Sequence, residues 1–251
     1  MLTTHRRRLL LEKLAREGQL SATTFSRELD VSEDTIRRDL RELAQKGLLQ
    51  RVHGGALPAS PAVVDFAGRQ TISTDSKIAL GRAAAKMIEP GQVVIFDGGT
   101  TTLQAARHLA RDLRATIVTH SPTIAVELAT HPNIEVVLLG GRLFKHSVVA
   151  VGAATIEAIS RIRADVYFMG VTGVHPTAGL STGDLEEAHV KRALSTSAAE
   201  TVVLASPEKL NAASPFLIAP ITEATEIVVL NDTPPEATRE FERMGISVLR
   251  V

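Results

Sequence analysis

Apolar positions in the first fifty residues recur at helical spacing in three short stretches. The first runs from about Thr4 to Glu17, with Leu9, Leu10, Lys13 and Leu14 in register and Gly18 as its stop. The second is capped by Ser21 and covers Phe25 and Leu29. After a tight connection at Asp30-Val31, Ser32 caps a third helix that reaches about Gln45, where Gly47 ends it. On this helix Ile36, Leu40 and Leu43 form one apolar stripe, while Thr35, Arg37, Arg38 and Arg41 project away from it. Leu48 to His53, followed by a Gly54-Gly55 turn, reads as a short β-hairpin, or wing. Residues 56–76 contain Pro58, Pro61 and several small polar residues and read as a linker, helical in part near Val63–Arg69.

From Lys77 onward helices and strands alternate. Helix Lys77–Ile88 precedes strand Val93–Phe96, the loop DGGTTT and helix Leu103–Leu109. Strand Thr116–Thr119, helix Pro122–Ala129 and strand Glu135–Leu139 follow. A helix at about Gly152–Ser160 leads to strand Val166–Val171, and helix Leu185–Thr196 to strand Thr201–Ala205. Strand Ile227–Leu230, helix Pro235–Met244 and strand Ser247–Val251 close the chain. This alternation predicts an α/β domain with a mostly parallel sheet and helices on both faces. The expected organisation is therefore a winged helix-turn-helix at 1–57, a linker at 58–76 and an α/β domain at 77–251.

Composition narrows the function classes. A chain of 251 residues suits two domains. With one Tyr, seven Phe and no Trp, its cores must be aliphatic. The absence of Cys excludes a disulfide scaffold and thiolate chemistry, and it fits a reducing cytoplasm, the expected location. The N-terminus is basic but lacks the apolar run of a signal peptide. No stretch approaches the roughly 18 apolar residues of a membrane span, so no membrane partner is expected. The eight His residues form no H-x-H or H-x-x-x-H pair, and neither metal nor cofactor is expected. Net charge is zero overall, but residues 1–57 carry +3 and the remainder −3.

A capped helix with exposed arginines, set behind a helix and a tight turn, has the form needed to enter a DNA major groove. Arg37, Arg38 and Arg41 suit base or backbone contact, because Arg donates two hydrogen bonds to guanine. Ser32 and Thr35 suit phosphate anchoring at the helix start. Arg51 and His53 on the wing are placed for a phosphate or the minor groove. The plain alternative makes Arg37-Arg38 a solvated face partnered by Asp34, Asp39 and Glu42, and Arg6-Arg7-Arg8 a solvated run. The segment VSEDTIRRDLRELAQKGLLQRVHGGA resembles the signature of the DeoR family of bacterial regulators, from the T-I-R-R-D-L core at Thr35–Leu40 through the wing. The resemblance extends over nearly the whole chain.

In the second domain, Asp97-Gly98-Gly99-Thr100-Thr101-Thr102 follows an apolar strand and opens a helix, a loop suited to a phosphate or to an ordinary βα turn. Thr119-His120-Ser121, Gly140-Gly141-Arg142 and Gly170 to Gly173 also fall where strands end, the usual ligand edge of an α/β sheet. Glu187 and Lys191 lie at i, i+4 and taken alone read as an exposed ion pair, and Lys209 as a solvated loop residue. The resemblance implies more. It makes this an effector domain similar in fold to ribose-phosphate isomerases and CoA transferases, with a phosphorylated sugar or related intermediate as ligand. It places Asp97 and Thr100–Thr102 at the phosphate or nearby hydroxyls, and Glu187, Lys191 and Lys209 near the ligand. Three positions depart from the usual family pattern: His120 in place of Asn, Thr172 in place of Asp and Ser206 in place of Asp.

The expected function is a sequence-specific DNA-binding regulator, a repressor of a carbohydrate catabolic operon rather than an enzyme. Its partners are double-stranded operator DNA, a phosphorylated effector and further copies of itself, as dimer or tetramer, because one winged helix reads few base pairs. The alternatives are a sugar-phosphate isomerase with an appended DNA-binding domain, which needs a base that Thr172 and Ser206 do not supply, a CoA transferase using Glu187, and a winged helix for protein contacts.

Overall fold

The computed structural model describes residues 2–60 and 64–251. The N-terminal unit runs α1 (Thr3–Glu17), β1 (Leu20–Ser21), α2 (Ala22–Glu28), α3 (Glu33–Gln45), β2 (Leu49–Val52) and β3 (Gly55–Pro58). Ser21 and Ser32 cap α2 and α3 by accepting from the backbone amides of Thr24 and Thr35. Gly18 and Gly47 end the helices at positive φ. Leu10, Leu14, Phe25, Ile36, Leu40 and Leu43 form its core. The hairpin turn falls at His53-Gly54, one residue earlier than the glycine pair suggests. Gly55 already belongs to β3, where β1 approaches so closely that a Cβ would lie 1.8 Å from the Leu20 carbonyl oxygen.

The second unit opens with α4 (Phe66–Arg69), α5 (Thr74–Lys86), β4 (Val93–Phe96), α6 (Thr100–Arg107), β5 (Ala115–Thr119), α7 (Pro122–Leu128) and β6 (Ile134–Leu138). A hairpin of β7 (Arg142–Phe144) and β8 (Val149–Val151) leads to α8 (Ala153–Ile159) and β9 (Ala164–Met169). Then come β10 (Gly173–His175), β11 (Gly179–Thr182), α9 (Leu185–Thr196), β12 (Ala198–Leu204) and a 3-10 turn at Pro207–Lys209. The chain closes with β13 (Phe216–Ala219), a 3-10 turn at Ile221–Glu223, β14 (Glu226–Val229), α10 (Pro235–Arg243) and β15 (Ser247–Arg250).

Seven strands form one parallel sheet in the order β15-β14-β12-β9-β4-β5-β6. Side chains alternate between its two faces, so each buried strand reads as an unbroken apolar run. Val94 and Phe96 of β4 pack with α5, α6 and α7, while Ile95 packs with α8, α9 and α10. The chain steps from β4 outward to β5 and β6, then returns to place β9 on the other side of β4. That reversal opens a crevice at the carboxyl ends of β4 and β9.

The main strands and helices fall within a few residues of their expected positions; several local readings do not. Thr100–Thr102 are the first turn of α6, not loop, because Gly99 at φ +146° lets the backbone turn into the helix one residue ahead of them. β7, β8, β10, β11 and β13 were not expected: they are three or four residues long, β7 with β8 and β10 with β11 forming short hairpins and β13 joining the distant β11. The expected linker at 56–76 is mostly structured. β3 extends to Pro58, α4 fills Phe66–Arg69, and α5 begins at Thr74 rather than Lys77. Pro61 and the Val63 end of the expected helical stretch lie outside the described residues.

Candidate functional site

Two sites emerge, one on each unit. On the first, Arg38 and Arg41 stand exposed on α3, and Arg51 and His53 stand exposed on the wing. Ser32 Oγ lies 2.8 Å from Thr35 Oγ1 at the start of α3, two hydroxyls beside the helix N-terminus. Arg37 is exposed too, but its guanidinium is 2.7 Å from Glu33 one turn back. The plain alternative, with Asp39 as a partner of the outer arginines, does not hold. Asp39 points inward, 1% exposed, and accepts from Arg6 Nε and Arg7 Nε. Arg6 is therefore buried rather than part of a solvated run, and Arg7 also reaches Glu42 at 2.7 Å. These ion pairs pin the inner face of α3 to α1, leaving its outer face as a rigid platform.

The second site is a narrow pocket at the crevice between β4 and β9. Its cavity volume is about 30 Å³. One wall is Gly98, Gly99 and the first turn of α6, whose unpaired amides and partial positive charge favour an anion. Thr100, Thr101 and Thr102 lie on that wall, and Gly170, Val171, Thr172 and Thr182 on another. Four cationic side chains, Arg69, Lys77, Lys191 and Lys209, meet two carboxylates, Glu187 and Glu208, around it.

Asp97 anchors this pocket from behind. It is wholly buried and does not line the pocket. Its Oδ1 accepts from the Gly98 amide and lies 2.8 Å from His120 Nε2. Its Oδ2 accepts from Tyr167, the Gly170 amide and Lys191, at 2.7, 2.8 and 2.7 Å. Burial would raise the Asp97 acid, but the Lys191 charge and His120 hold it well below the usual carboxylate range. Burial would likewise lower the Lys191 ammonium, and Asp97 with Glu187 outweighs it, raising it. The same carboxylate adds to burial in pushing the Tyr167 phenol up. Glu187 is committed as well, 3.2 Å from Lys191 and accepting from Ser147. The reading of Glu187 and Lys191 as an exposed ion pair is thus corrected: both are buried.

Lys209 is buried rather than solvated and reaches Thr101 Oγ1 at 3.2 Å. Burial, with Lys77, Arg69 and Lys191 nearby, pushes it down to about 8 against the pull of Glu208. Burial also lowers Lys77, which donates to the Arg69 carbonyl at 2.6 Å, and lowers Arg69 itself. The remaining expected residues do not line this pocket. Thr119 ties β5 to β4 through the Phe96 carbonyl, and His120 bridges Asp97 and the Ala150 carbonyl. Ser121 caps no ligand wall but meets Thr123, Gly141 packs against Thr155, and Arg142 is exposed on β7.

The two units meet along a strap that follows β3. Ala59 forms a parallel bridge with Ala213, and Ser60 Oγ hydrogen-bonds Ser214 Oγ. Ser214 Oγ in turn lies 2.7 Å from Thr172 Oγ1 on the pocket wall. Ser214 ends a loop that begins at Lys209, so both ends of the pocket-to-strap connection are held within one short segment. The β10-β11 turn, at Thr177 and Ala178, faces the wing across an open cleft.

Comparison with known proteins assigns both units. The DeoR-like helix-turn-helix domain matches residues 6–61, and the DeoR C terminal sensor domain matches residues 72–230. The chain belongs to the DeoR family. Its similarity to the HTH-type transcriptional regulator GlpR of Haloferax volcanii is 32% identity over 251 residues, 99% of this chain and 98% of that one. The repressor GlcR of Bacillus subtilis is 30% identical across 96% of this chain and 93% of its own. The glycerol-3-phosphate regulon repressor of Escherichia coli is 32% identical across 77% of each chain. Among solved structures, ribose 5-phosphate isomerase A of Methanocaldococcus jannaschii aligns over 54% of each chain at TM-score 0.41 and 20% identity. The sorbitol operon regulator SorC of Klebsiella pneumoniae aligns over 82% of this chain and 91% of its own, at TM-score 0.38 and 14% identity.

In this DeoR-family chain the pocket includes residues that no local pattern singles out. Arg69, Ile72 and Lys77 come from the stretch read as linker and helix start, and Glu208 from a turn after β12. The only available signal was the position of Glu208 and Lys209 just past a strand end. No helix of the described residues is long and apolar enough to cross a membrane.

Proposed function

We propose that the chain is a repressor of a carbohydrate catabolic operon that releases or engages operator DNA in response to a phosphorylated sugar or related intermediate. The observation that carries the effector reading is the meeting of Arg69, Lys77 and Lys209 with the N-terminal turn of α6 and its three threonines in one narrow pocket. Cations, hydroxyl donors and free amides facing one small volume suit a phosphate. A relative named for the glycerol-3-phosphate regulon supports a phosphorylated ligand. The protein works as a homo-oligomer on repeated half-sites, because a single α3 reads few base pairs. It binds the sugar phosphate rather than turning it over. Thr172 and Ser206 offer hydroxyls, and Glu187 is held by Ser147 and Lys191. Saturable isomerase activity on pentose or hexose phosphates would overturn that.

Two substitutions test the two sites separately. Arg38→Ala weakens operator binding by about 1–3 kcal/mol in mobility-shift titrations if it reads a base, with effector binding intact. Thr101→Ala blunts the effector response at nearly unchanged DNA affinity. Unaltered operator affinity in the first, or an unaltered response in the second, removes that residue from its role.

Lys209 predicts a pH dependence. Its folded value near 8 leaves it charged below that pH and neutral above it. A phosphate dianion favours the charged form, so affinity is full below about pH 8 and falls as pH rises through it, with proton uptake on binding. Calorimetry in buffers of different ionisation enthalpy measures that uptake. In Lys209→Arg the fall above pH 8 disappears.

The Thr172–Ser214–Ser60 contacts carry the message from pocket to strap. Ser214→Ala leaves the separate affinities for operator and effector within about threefold, while the factor by which effector changes operator affinity drops at least fivefold, out of a coupling of about 1–3 kcal/mol. An unchanged coupling factor would assign the message elsewhere.

A further inference from the structure

Of the two carboxylates that meet the pocket's cations, Glu187 is held by Lys191 and Ser147, and Glu208 has an unmet need. Glu208 sits in the 3-10 turn after β12 and lines the pocket beside Lys77 and Lys209. Its Oε1 accepts from Ser206 Oγ at 2.6 Å, which fixes the carboxylate's orientation. Its Oε2 is buried and accepts no hydrogen bond among the described residues. Burial would raise the Glu208 acid, but Ser206, the charge of Lys209 and the nearby Ser73 hydroxyl hold it below its ordinary value. It is therefore a carboxylate at neutral pH on the pocket lining, with one buried oxygen that lacks a donor. A buried carboxylate oxygen is costly to leave without a donor.

The two halves of the pocket therefore ask for different chemistry. The α6 turn with Lys209 and Thr101 takes an anion; the Glu208 side takes a hydrogen-bond donor and repels a second anion. We propose that Glu208 sets effector selectivity: it accepts a hydroxyl of a phosphorylated polyol or sugar and rejects the phosphorylated carboxylic acid of the same length. This rests on reading the pocket as a phosphate site. A hydroxyl donates to Oε2 directly, whereas a carboxylate in its place sets two like charges against each other in a narrow, poorly hydrated space.

The test is calorimetric titration of the full-length protein at neutral pH with inorganic phosphate and with two matched pairs. The pairs are glycerol 3-phosphate against 3-phosphoglycerate, and sorbitol 6-phosphate against 6-phosphogluconate. The wild type is expected to bind the polyol of at least one pair about tenfold or more tightly than its acid. In Glu208→Gln, whose amide both donates and accepts, that ratio falls to about threefold or less. Ser206→Ala, which frees Oε1 and loosens the carboxylate, gives an intermediate ratio. Equal binding of polyol and acid by the wild type overturns the proposal without any variant, as does an undiminished ratio in a folded Glu208→Gln protein. Failure of inorganic phosphate and of both pairs to bind overturns instead the phosphate reading on which it rests.

Discussion

Replacing Asp97 with Asn is expected to lower the stability of the sensor unit by about 3–5 kcal/mol, the cost of stripping one partner from a buried ion pair. Four donors converge on this carboxylate, the amides of Gly98 and Gly170, Tyr167 and Lys191, and His120 Nε2 lies 2.8 Å from it. An amide side chain turns an NH2 group toward some of them and leaves Lys191, 1% exposed, with Glu187 as its one remaining carboxylate. Denaturant unfolding of the sensor unit, followed by near-ultraviolet signals from Tyr167 and the phenylalanines, measures the loss. Adding Lys191→Met together with Glu187→Gln to the same chain removes both charges left in the interior and restores part of the loss. If Asp97→Asn is as stable as the parent, the network is not what holds the Gly98-Gly99 turn and the start of α6 in place.

The same residue fixes the acid response. The folded Asp97 carboxyl lies well below its ordinary value near 3.8. The folded state therefore binds fewer protons than the unfolded one, and the stabilisation is complete above that value and lost as the pH falls below it. The Asp97→Asn protein lacks this part of the acid sensitivity.

The second large effect belongs to the DNA-binding unit. Asp39→Ala removes the carboxylate that two arginines share and leaves Arg6, 7% exposed, without its counter-ion. The expected cost is again about 3–5 kcal/mol, which matches the whole stability available to a core of this size. The winged helix unfolds or frays, and operator binding is lost although no DNA-facing residue has changed. Hydrogen exchange separates this from a direct contact: amides of α1 and α3 lose protection, while the sensor unit keeps its protection and its ligand. Retained protection with lost DNA binding would instead place Asp39 in recognition. Asp39→Asn, which keeps the shape, is expected to fall between.

These two carboxylates mark the boundary of what local pattern could reveal. The caps at Ser21 and Ser32, the stop at Gly47, the β4 run and helix α9 depend on neighbours within a few positions, and each lies where the spacing predicts it. Asp39 sits on the same helix as the outer arginines and was paired with them. The helical turn of α3 puts it beside Ile36, Leu40 and Leu43 on the buried face, toward arginines more than thirty positions earlier in the chain. The i, i+4 spacing of Glu187 and Lys191 suggests contact, which is present at 3.2 Å. It cannot reveal that Asp97, ninety-four positions away, draws the pair into the interior.

Local pattern along the chain is enough to specify the winged helix, the parallel α/β sheet, the exposed arginines of α3 and the glycine-threonine turn after β4. These follow from period, caps and turn residues, all local quantities. Which polar residues line the pocket was settled by tertiary packing alone. It moved Asp97, Thr119, His120 and Ser121 behind or away from the pocket, and brought Arg69, Lys77 and Glu208 to it. It also showed that Ser60 and Ser214 join the two units. The physical reason is the same in each case. Strand order places the ends of β4, β9 and β12 side by side, and that order depends on which long crossovers bury the most apolar surface, not on any residue's neighbours in the chain.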